Sequence, residues 1–258
     1  MKKPYVGIII PCYNCEDYIE DSMRSCLEQD YKNILLIVID DCSTDDSLSI
    51  IEKIHLENED VFSGVNERNS GAARTRNFGA KIAQNFGCDL LLFHDADDIM
   101  TKNSIVDRVK LFEDQMVAVA YGDYYNLLED GSITYENKPD FDFFRLLEDN
   151  YISCLSMTRT ETFERVGGFN ENLTYGEDWL LWMRICQYGI GVHVHTPCFY
   201  YRANPFSLTR KIDWNTYRLD MDIIKSSMNL VMGDGSAEDL MLKQNKKIRY
   251  VANNGVYN

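Results

Sequence analysis

Between Cys88 and Met100 the chain reads CDLLLFHDADDIM, an apolar run that stops abruptly at Asp95, Asp97 and Asp98. Four consecutive large apolar residues, Leu90 to Phe93, predict a strand covered on both faces, as in the parallel sheets of α/β proteins. Unpaired carboxylates cannot follow it into a core. All three aspartates are therefore expected where the strand leaves the sheet, at its C-terminal edge. In open α/β sheets that edge binds ligands. Asp95 and Asp97 in one tight turn can converge on a hard divalent cation, although a solvated, capped turn is the simpler reading of such a motif standing alone.

The rest of the first half repeats that strand in other positions. Tyr5 to Ile10, Ile34 to Ile39, Val61 to Val65 and Val117 to Tyr121 are apolar and β-branched. Helical spacing separates them: Ile19, Met23, Cys26 and Leu27 within 16–29; Leu48, Ile51 and Ile54 after the capping groups Ser43, Thr44 and Asp45; Ala73, Ala80 and Ala83 after Asn69-Ser70-Gly71; and Ile105, Val109 and Phe112. Strands alternating with helices predict an α/β fold with a doubly wound, mostly parallel sheet of Rossmann-like type. The second half is less regular. A short amphipathic helix is expected over 141–147, a strand over 152–157, a break at Gly167-Gly168, a helix opened by Glu177-Asp178 and carrying Leu181, Ile185 and Tyr188, and an extended segment over 190–201. His193 and His195 lie on one side of that segment. With no third ligand nearby in sequence, they read as a half-exposed strand face.

Composition narrows the function classes. The chain has 258 residues and a formal net charge of −15, which argues against nucleic acid as a partner. An acidic protein that handles an anionic ligand needs local positive charge and a cation. The 8 cysteines lie mostly in apolar runs, and Cys12-x-x-Cys15 has no second pair at zinc-ligand spacing. The N-terminal apolar run is too short for a signal peptide, and no run approaches the roughly 20 residues of a membrane helix. The expected location is cytoplasmic. The basic stretch 243–249 leaves open a peripheral membrane contact, against the simpler reading of a solvated helix end.

Two strands thus end in acidic clusters on one sheet edge, Asp40 and Asp41 on one and Asp95 and Asp97 on the other. Between them Gly71 opens a helix bearing Arg74 and Arg76, a plausible anion site. Carboxylates, a metal and arginines around one crevice describe a nucleoside diphosphate site.

With these residues in view, the chain resembles the inverting glycosyltransferases of family 2, which have the GT-A fold. VGIIIPCYNCEDYIEDSMRSCLEQ is similar to that family's first strand and helix, VIDDCSTDDS to its nucleotide-binding turn, NSGAARTRNFGA to its NxGxxxARN segment, HDADD to its DxD turn and VGGFNENLTYGEDWLLWMRI to its acceptor-side segment. The resemblance implies a GT-A domain over 1–210, with a nucleotide-sugar half to about 115 and an acceptor half from about 116, followed by a helical C-terminal extension over 211–258. It implies a nucleotide-sugar donor, UDP-linked, and a glycan or lipid-linked acceptor. Pro11 and Tyr13 would line the nucleobase pocket, with Tyr13 stacking. Asp41, with Asp40 beside it, would accept a hydrogen bond from the base. Arg76 would lie near the diphosphate or donor sugar, and Asp95 and Ala96 would contact the donor. Asp97, with Asp95, would hold Mn²⁺ or Mg²⁺. Asp178 would be the general base, kept ionised by the backbone dipoles of its helix, with Glu177 in support.

Members of that family commonly carry a YRxHxxS segment whose histidine lies near the metal. Here the run is Tyr201-Arg202-Ala203-Asn204-Pro205-Phe206-Ser207, with Asn204 at the histidine position. An amide oxygen is a harder and weaker ligand than imidazole, which predicts a preference shifted towards Mg²⁺. Two other functions remain open from sequence: a non-catalytic nucleotide-sugar binder, and a phosphohydrolase with Asp95 as nucleophile.

Overall fold

The computed structural model describes residues 3–203 and 213–232. The first half builds four parallel strands: β1 (Val6–Cys12), β2 (Ile34–Asp40), β3 (Val61–Val65) and β4 (Leu90–Phe93). Their crossover helices are α1 (Ile19–Leu27), α2 (Ser47–Glu57) and α3 (Ala72–Asn85). Side chains alternate between two cores, as the period of a strand requires. Ile9, Ile37, Leu91 and Phe93 face one core with Ala73, Ala80 and Ala83 of α3. Ile8, Leu36, Leu90 and Leu92 face the other with Met23 and Cys26 of α1 and Ile51 and Ile54 of α2. This two-sided burial explains why β1, β2 and β4 carry no polar positions before their ends, whereas the half-buried β3 admits Ser63.

Beyond β4 the parallel rule lapses. A two-residue strand, β5 (Ile99–Met100), is followed by α4 (Ser104–Val109) and a 3-10 turn over Lys110–Glu113, then β6 (Val117–Leu127), β7 (Ile133–Glu136), α5 (Phe143–Glu148), β8 (Met157–Arg159), α6 (Thr160–Arg165), α7 (Glu177–Ile185), β9 (Ile190–Arg202) and α8 (Trp214–Met232). The sheet order is β3-β2-β1-β4-β8-β6-β9-β5, with β7 on the edge of β6. β8 is antiparallel to both β4 and β6, β6 and β9 are parallel, and β5 is antiparallel to β9. The strand expected over 152–157 is displaced: Ile152 and Leu155 are buried, but only Met157–Arg159 joins the ladder. The helical C-terminal extension is present as α8. Among the described residues, no helix is long and apolar enough to cross a membrane. The basic stretch 243–249 and Asn204 lie outside the described residues.

Candidate active site

The C-terminal ends of β1 and β2 are joined by polar cross-links. Asn14 and Cys42 at the two turn tips adopt left-handed backbone, with φ of 51° and 64°. The Asn14 N–H donates to Ser43 Oγ at 3.0 Å, and the Thr44 N–H donates to Asn14 Oδ1 at 2.8 Å. The Cys15 N–H reaches Ser47 Oγ at 2.8 Å. Pro11 ends half-buried in this frame, and Tyr13 projects from it with 46% of its surface exposed.

The two aspartates ending β2 differ. Asp40 is buried and accepts the Ser43 N–H at 2.8 Å through Oδ2, while its Oδ1 has no partner among the described residues. Asp41 is a structural hub. Its carboxylate accepts the N–H of Ser70 at 2.9 Å, the N–H of Gly71 at 2.8 Å and the amide of Asn66 at 2.7 Å. It therefore caps the entry to α3, satisfying donors that a helix start leaves orphaned. A base placed here would compete for the remaining lone pair of a carboxylate already engaged three times.

At the end of β4, Asp95 and Asp97 stand partly exposed in a turn closed by the Asp98 N–H on the Asp95 carbonyl at 3.2 Å. Ala96 packs into the core below, so it presents backbone rather than side chain to a ligand. Asp98 departs from expectation, being 1% exposed. Burial, followed by the charges of Asp95 and Asp97, raises its pKa well above the usual carboxylate range. A protonated carboxyl can occupy a core position that an ionised one cannot. Its Oδ1 accepts the Arg202 N–H at 2.9 Å, tying the DxD turn to the end of β9. The neighbouring His94 is likewise buried, and desolvation brings its pKa down to about 4.

Arg76 links this turn to the second half of the chain. From α3 its side chain enters the interior, 7% exposed, and donates to Asp95 Oδ1 at 2.7 Å and to Glu177 Oε1 at 2.9 Å. Its guanidinium lies 5.6 Å from the centre of the Phe169 ring. Burial opposes its charge, but the surrounding negative groups, Asp95 and Glu177 among them, outweigh burial and raise its pKa. Arg76 is thus a bridge rather than an open anion site, and Arg74 on the same helix is exposed.

Glu177 and Asp178 open α7. The turn before them needs Gly176, whose φ is 70° and where a Cβ would meet Ile224 of α8 at 2.7 Å. Asp220 of α8 also accepts the N–H groups of Thr174 and Tyr175 at 3.0 and 2.9 Å. Asp178 is half-buried and accepts from Asn150 Nδ2 at 3.1 Å and from the Trp179 N–H at 2.7 Å. The helix dipoles do not keep it fully ionised, contrary to expectation. Desolvation and the neighbouring Glu177 charge push its pKa up to about 7, outweighing those two hydrogen bonds and Arg76.

The structure therefore brings Asp95, Arg76, Glu177 and Asp178 together along one path, with Asp97 in the same turn as Asp95. Sequence reasoning missed three supports: Asn150, Asp220 and Asn77. The Asn77 side chain receives the Phe169 N–H at 2.9 Å and donates to the Phe169 carbonyl at 3.0 Å, pinning the Gly167-Gly168 turn to α3. Each lies far in sequence from the groups it holds. Asn77 alone had a local signal, as the asparagine of the NxGxxxARN-like segment.

The profile of Glycosyl transferase family 2 matches residues 7–172. The Escherichia coli UDP-Glc:alpha-D-GlcNAc-diphosphoundecaprenol beta-1,3-glucosyltransferase WfaP is 33% identical over 209 residues, 79% of this chain and 79% of its own. The putative teichuronic acid biosynthesis glycosyltransferase TuaG of Bacillus subtilis is 27% identical over 208 residues, 76% of this chain and 77% of its own. Among solved structures, S. aureus TarS 1-349 in complex with UDP-GlcNAc superposes with a TM-score of 0.75 at 22% identity, covering 91% of this chain and 69% of that one. The mannosyltransferase PcManGT from Pyrobaculum calidifontis, in complex with GDP-Man and Mn²⁺, gives a TM-score of 0.63 at 17% identity over 100% of this chain and 82% of that one. The structural likenesses establish a shared GT-A fold, and with the profile and sequence matches they show that the chain belongs to glycosyltransferase family 2.

Proposed function

We propose that this glycosyltransferase takes a UDP-linked sugar and transfers it with inversion to a hydroxyl of a glycan or lipid-linked acceptor. The observation that carries the reading is the path Asp95–Arg76–Glu177, which ends beside a carboxyl lifted to about 7. It couples the ligand edge of the sheet to a group that can take a proton near neutral pH. The name of the relative WfaP, with its UDP-Glc donor and diphosphoundecaprenol-linked acceptor, supports the donor and acceptor classes.

In this reading Asp178 accepts the proton of the attacking hydroxyl. A general base works best with a pKa near the working pH. Asn150 and the Trp179 N–H fix the orientation of its carboxylate. Glu177 holds Arg76, and Arg76 holds Asp95 towards the donor. Tyr13, exposed on its stitched turn, offers a stacking face for the base, and Asp40 and Asp41 form the floor beside it. The acidic turn fits an oxygen-preferring divalent cation: the charges of Asp95 and Asp97 gather there, adding to the burial that raises the Asp98 pKa, and both carboxylates remain partly exposed. Asp97 and Asp95 would hold Mn²⁺ or Mg²⁺, whose chemistry is to neutralise charge developing on the departing diphosphate.

Incubation with a panel of UDP, GDP, dTDP and CDP sugars and either metal tests the reading. Slow release of UDP from one UDP-sugar without acceptor is expected, as is its loss in Asp178→Asn. Binding without turnover would instead support a non-catalytic binder. Release of inorganic phosphate from phosphomonoesters would support a hydrolase.

A further inference from the structure

The two histidines of β9 have a third partner that the sequence conceals. β9 pairs with β6 in parallel, but the register shifts where Gly122 opposes Val194 and Asp123 opposes Pro197. The extra residues on β9 form a bulge, a device that re-aims side chains. Its effect is to place the His195 ring 4.3 Å from that of His193, centre to centre, at 65°. The loop ahead of α5 brings Asp140 to the same point. Asp140 Oδ1 lies 3.3 Å from His193 Nδ1 and 3.3 Å from His195 Nε2. One ligand atom from each of the three residues falls within 4.8 Å of the others.

The other side of His193 is equally ordered. Its side chain is 1% exposed, and Nε2 lies 2.7 Å from Oδ1 of the fully buried Asp123. The ring stacks on Tyr121 at 5.3 Å. Asp123 also accepts the Tyr135 hydroxyl and, at 2.8 Å, the Lys138 N–H, which fix its carboxylate against the ring. A carboxylate at Nε2 assigns the proton of a neutral ring to that nitrogen, so Nδ1 presents its lone pair to Asp140 and His195. Three electron-pair donors then face one point that a cation can occupy. A carboxylate–histidine–metal relay has this form, with the buried acid fixing the tautomer and increasing the basicity of the ligand nitrogen.

We propose that Asp140, His193 and His195 form a second metal site, selective for a transition metal such as Zn²⁺ and sharing no residue with the acidic turn of the transferase centre. Two imidazoles and one carboxylate suit Zn²⁺ and its neighbours rather than Mg²⁺. Ligand atoms around a tetrahedral zinc at about 2.1 Å stand about 3.4 Å apart, close to the two separations of 3.3 Å already present. Asp140 and His195 are exposed and free to adjust, whereas His193 is preset. The bound ion ties the loop ahead of α5 to β9, and α5 leads directly to Asn150, the partner of Asp178.

The test is titration of metal-stripped protein with Co²⁺ in excess Mg²⁺, followed by visible absorption and then by displacement with Zn²⁺. One equivalent is expected, with a spectrum of nitrogen and oxygen ligands. Its affinity should fall at least tenfold in His195→Ala and in Asp140→Ala, both surface changes, and should persist in Asp97→Ala. Zn²⁺ should raise the melting temperature of the parent protein but not of the two site variants. Binding unchanged in both site variants, a sulfur-to-cobalt charge-transfer band, or no binding by the parent would each overturn the proposal. The last result would mean that His193 is held between its two carboxylates by a proton alone.

Discussion

Asp178→Asn should impair catalysis and stabilise the fold at the same time, with the stabilisation growing from about pH 4 to about pH 7 and level above. The folded protein holds Asp178 at about 7 because desolvation and Glu177 disfavour the carboxylate. The unfolded chain releases that proton near pH 4. Between those values the folded state binds more protons than the unfolded state, so the contribution of this group to stability falls as pH rises from about 4 to about 7, and it is level above. A rise of that size bounds the cost of the ionised group at about 4 kcal/mol. Partial exposure of the carboxyl reduces it, and the amide still accepts the Trp179 N–H. We therefore expect the variant to be more stable than the parent by about 1–3 kcal/mol at pH 8 and nearly equal to it at pH 4, from urea unfolding at both values. Transfer should fall by a factor on the order of 10² to 10⁴, and parental kcat/KM should rise through an acid limb near pH 7. If the stability difference is the same at pH 4 and pH 8, Asp178 is not held protonated by the fold. If transfer is unaffected, it is not the base.

Asn150→Ala removes a donor that favours the charged form of Asp178 and should move the acid limb of kcat/KM to higher pH, read from a pH profile. Arg76→Met strands Asp95 and Glu177 and should cost about 3 kcal/mol or more in denaturant unfolding, as expected when one partner of a buried ion pair is removed. Asp97→Ala should abolish the metal-dependent part of UDP binding while leaving a metal-independent remainder, separable by calorimetry with and without Mn²⁺. Asp41→Ala should weaken uridine binding and also lower stability by about 2–4 kcal/mol, because three donors at the start of α3 lose their acceptor. Unfolding and uridine calorimetry on the same variant separate the two effects.

What the sequence made legible was local. Leu90 to Phe93 and Ile34 to Ile39 announce two-sided burial by having no polar residue to place, and the acidic ends of these two strands mark the sheet edge. The crossover helices follow from apolar spacing and from Gly71. Past β4 the periodicity no longer determines the architecture. β8 contributes only three residues to the ladder, β5 only two, and both are antiparallel insertions whose partners lie far away in sequence. Within 152–157 the apolar side chains Ile152, Leu155 and Met157 are buried in loop and strand alike, so their apolarity does not separate the two.

The site divides in the same way, and the division has a physical basis. Which carboxylates reach the edge was readable; their protonation was not. Asp98 looks like Asp95 and Asp97 in the sequence, yet the closure of β9 over it removes water and raises its pKa well above the usual carboxylate range, while its Oδ1 accepts the Arg202 N–H. Asp178 heads a helix, which argues for a low pKa, but α5, α8 and Glu177 surround it with low dielectric and like charge, and those effects win. Both outcomes depend on segments that pack from elsewhere in the chain. Arg76 shows why this matters for the reaction. It is separated from Asp95 by 19 residues and from Glu177 by 101, so one guanidinium joins the first half of the chain to the second only after the chain has folded. Loss of that side chain should therefore perturb donor binding at Asp95 and proton transfer at Asp178 together, whereas Asp97→Ala and Asn150→Ala should each affect one without the other.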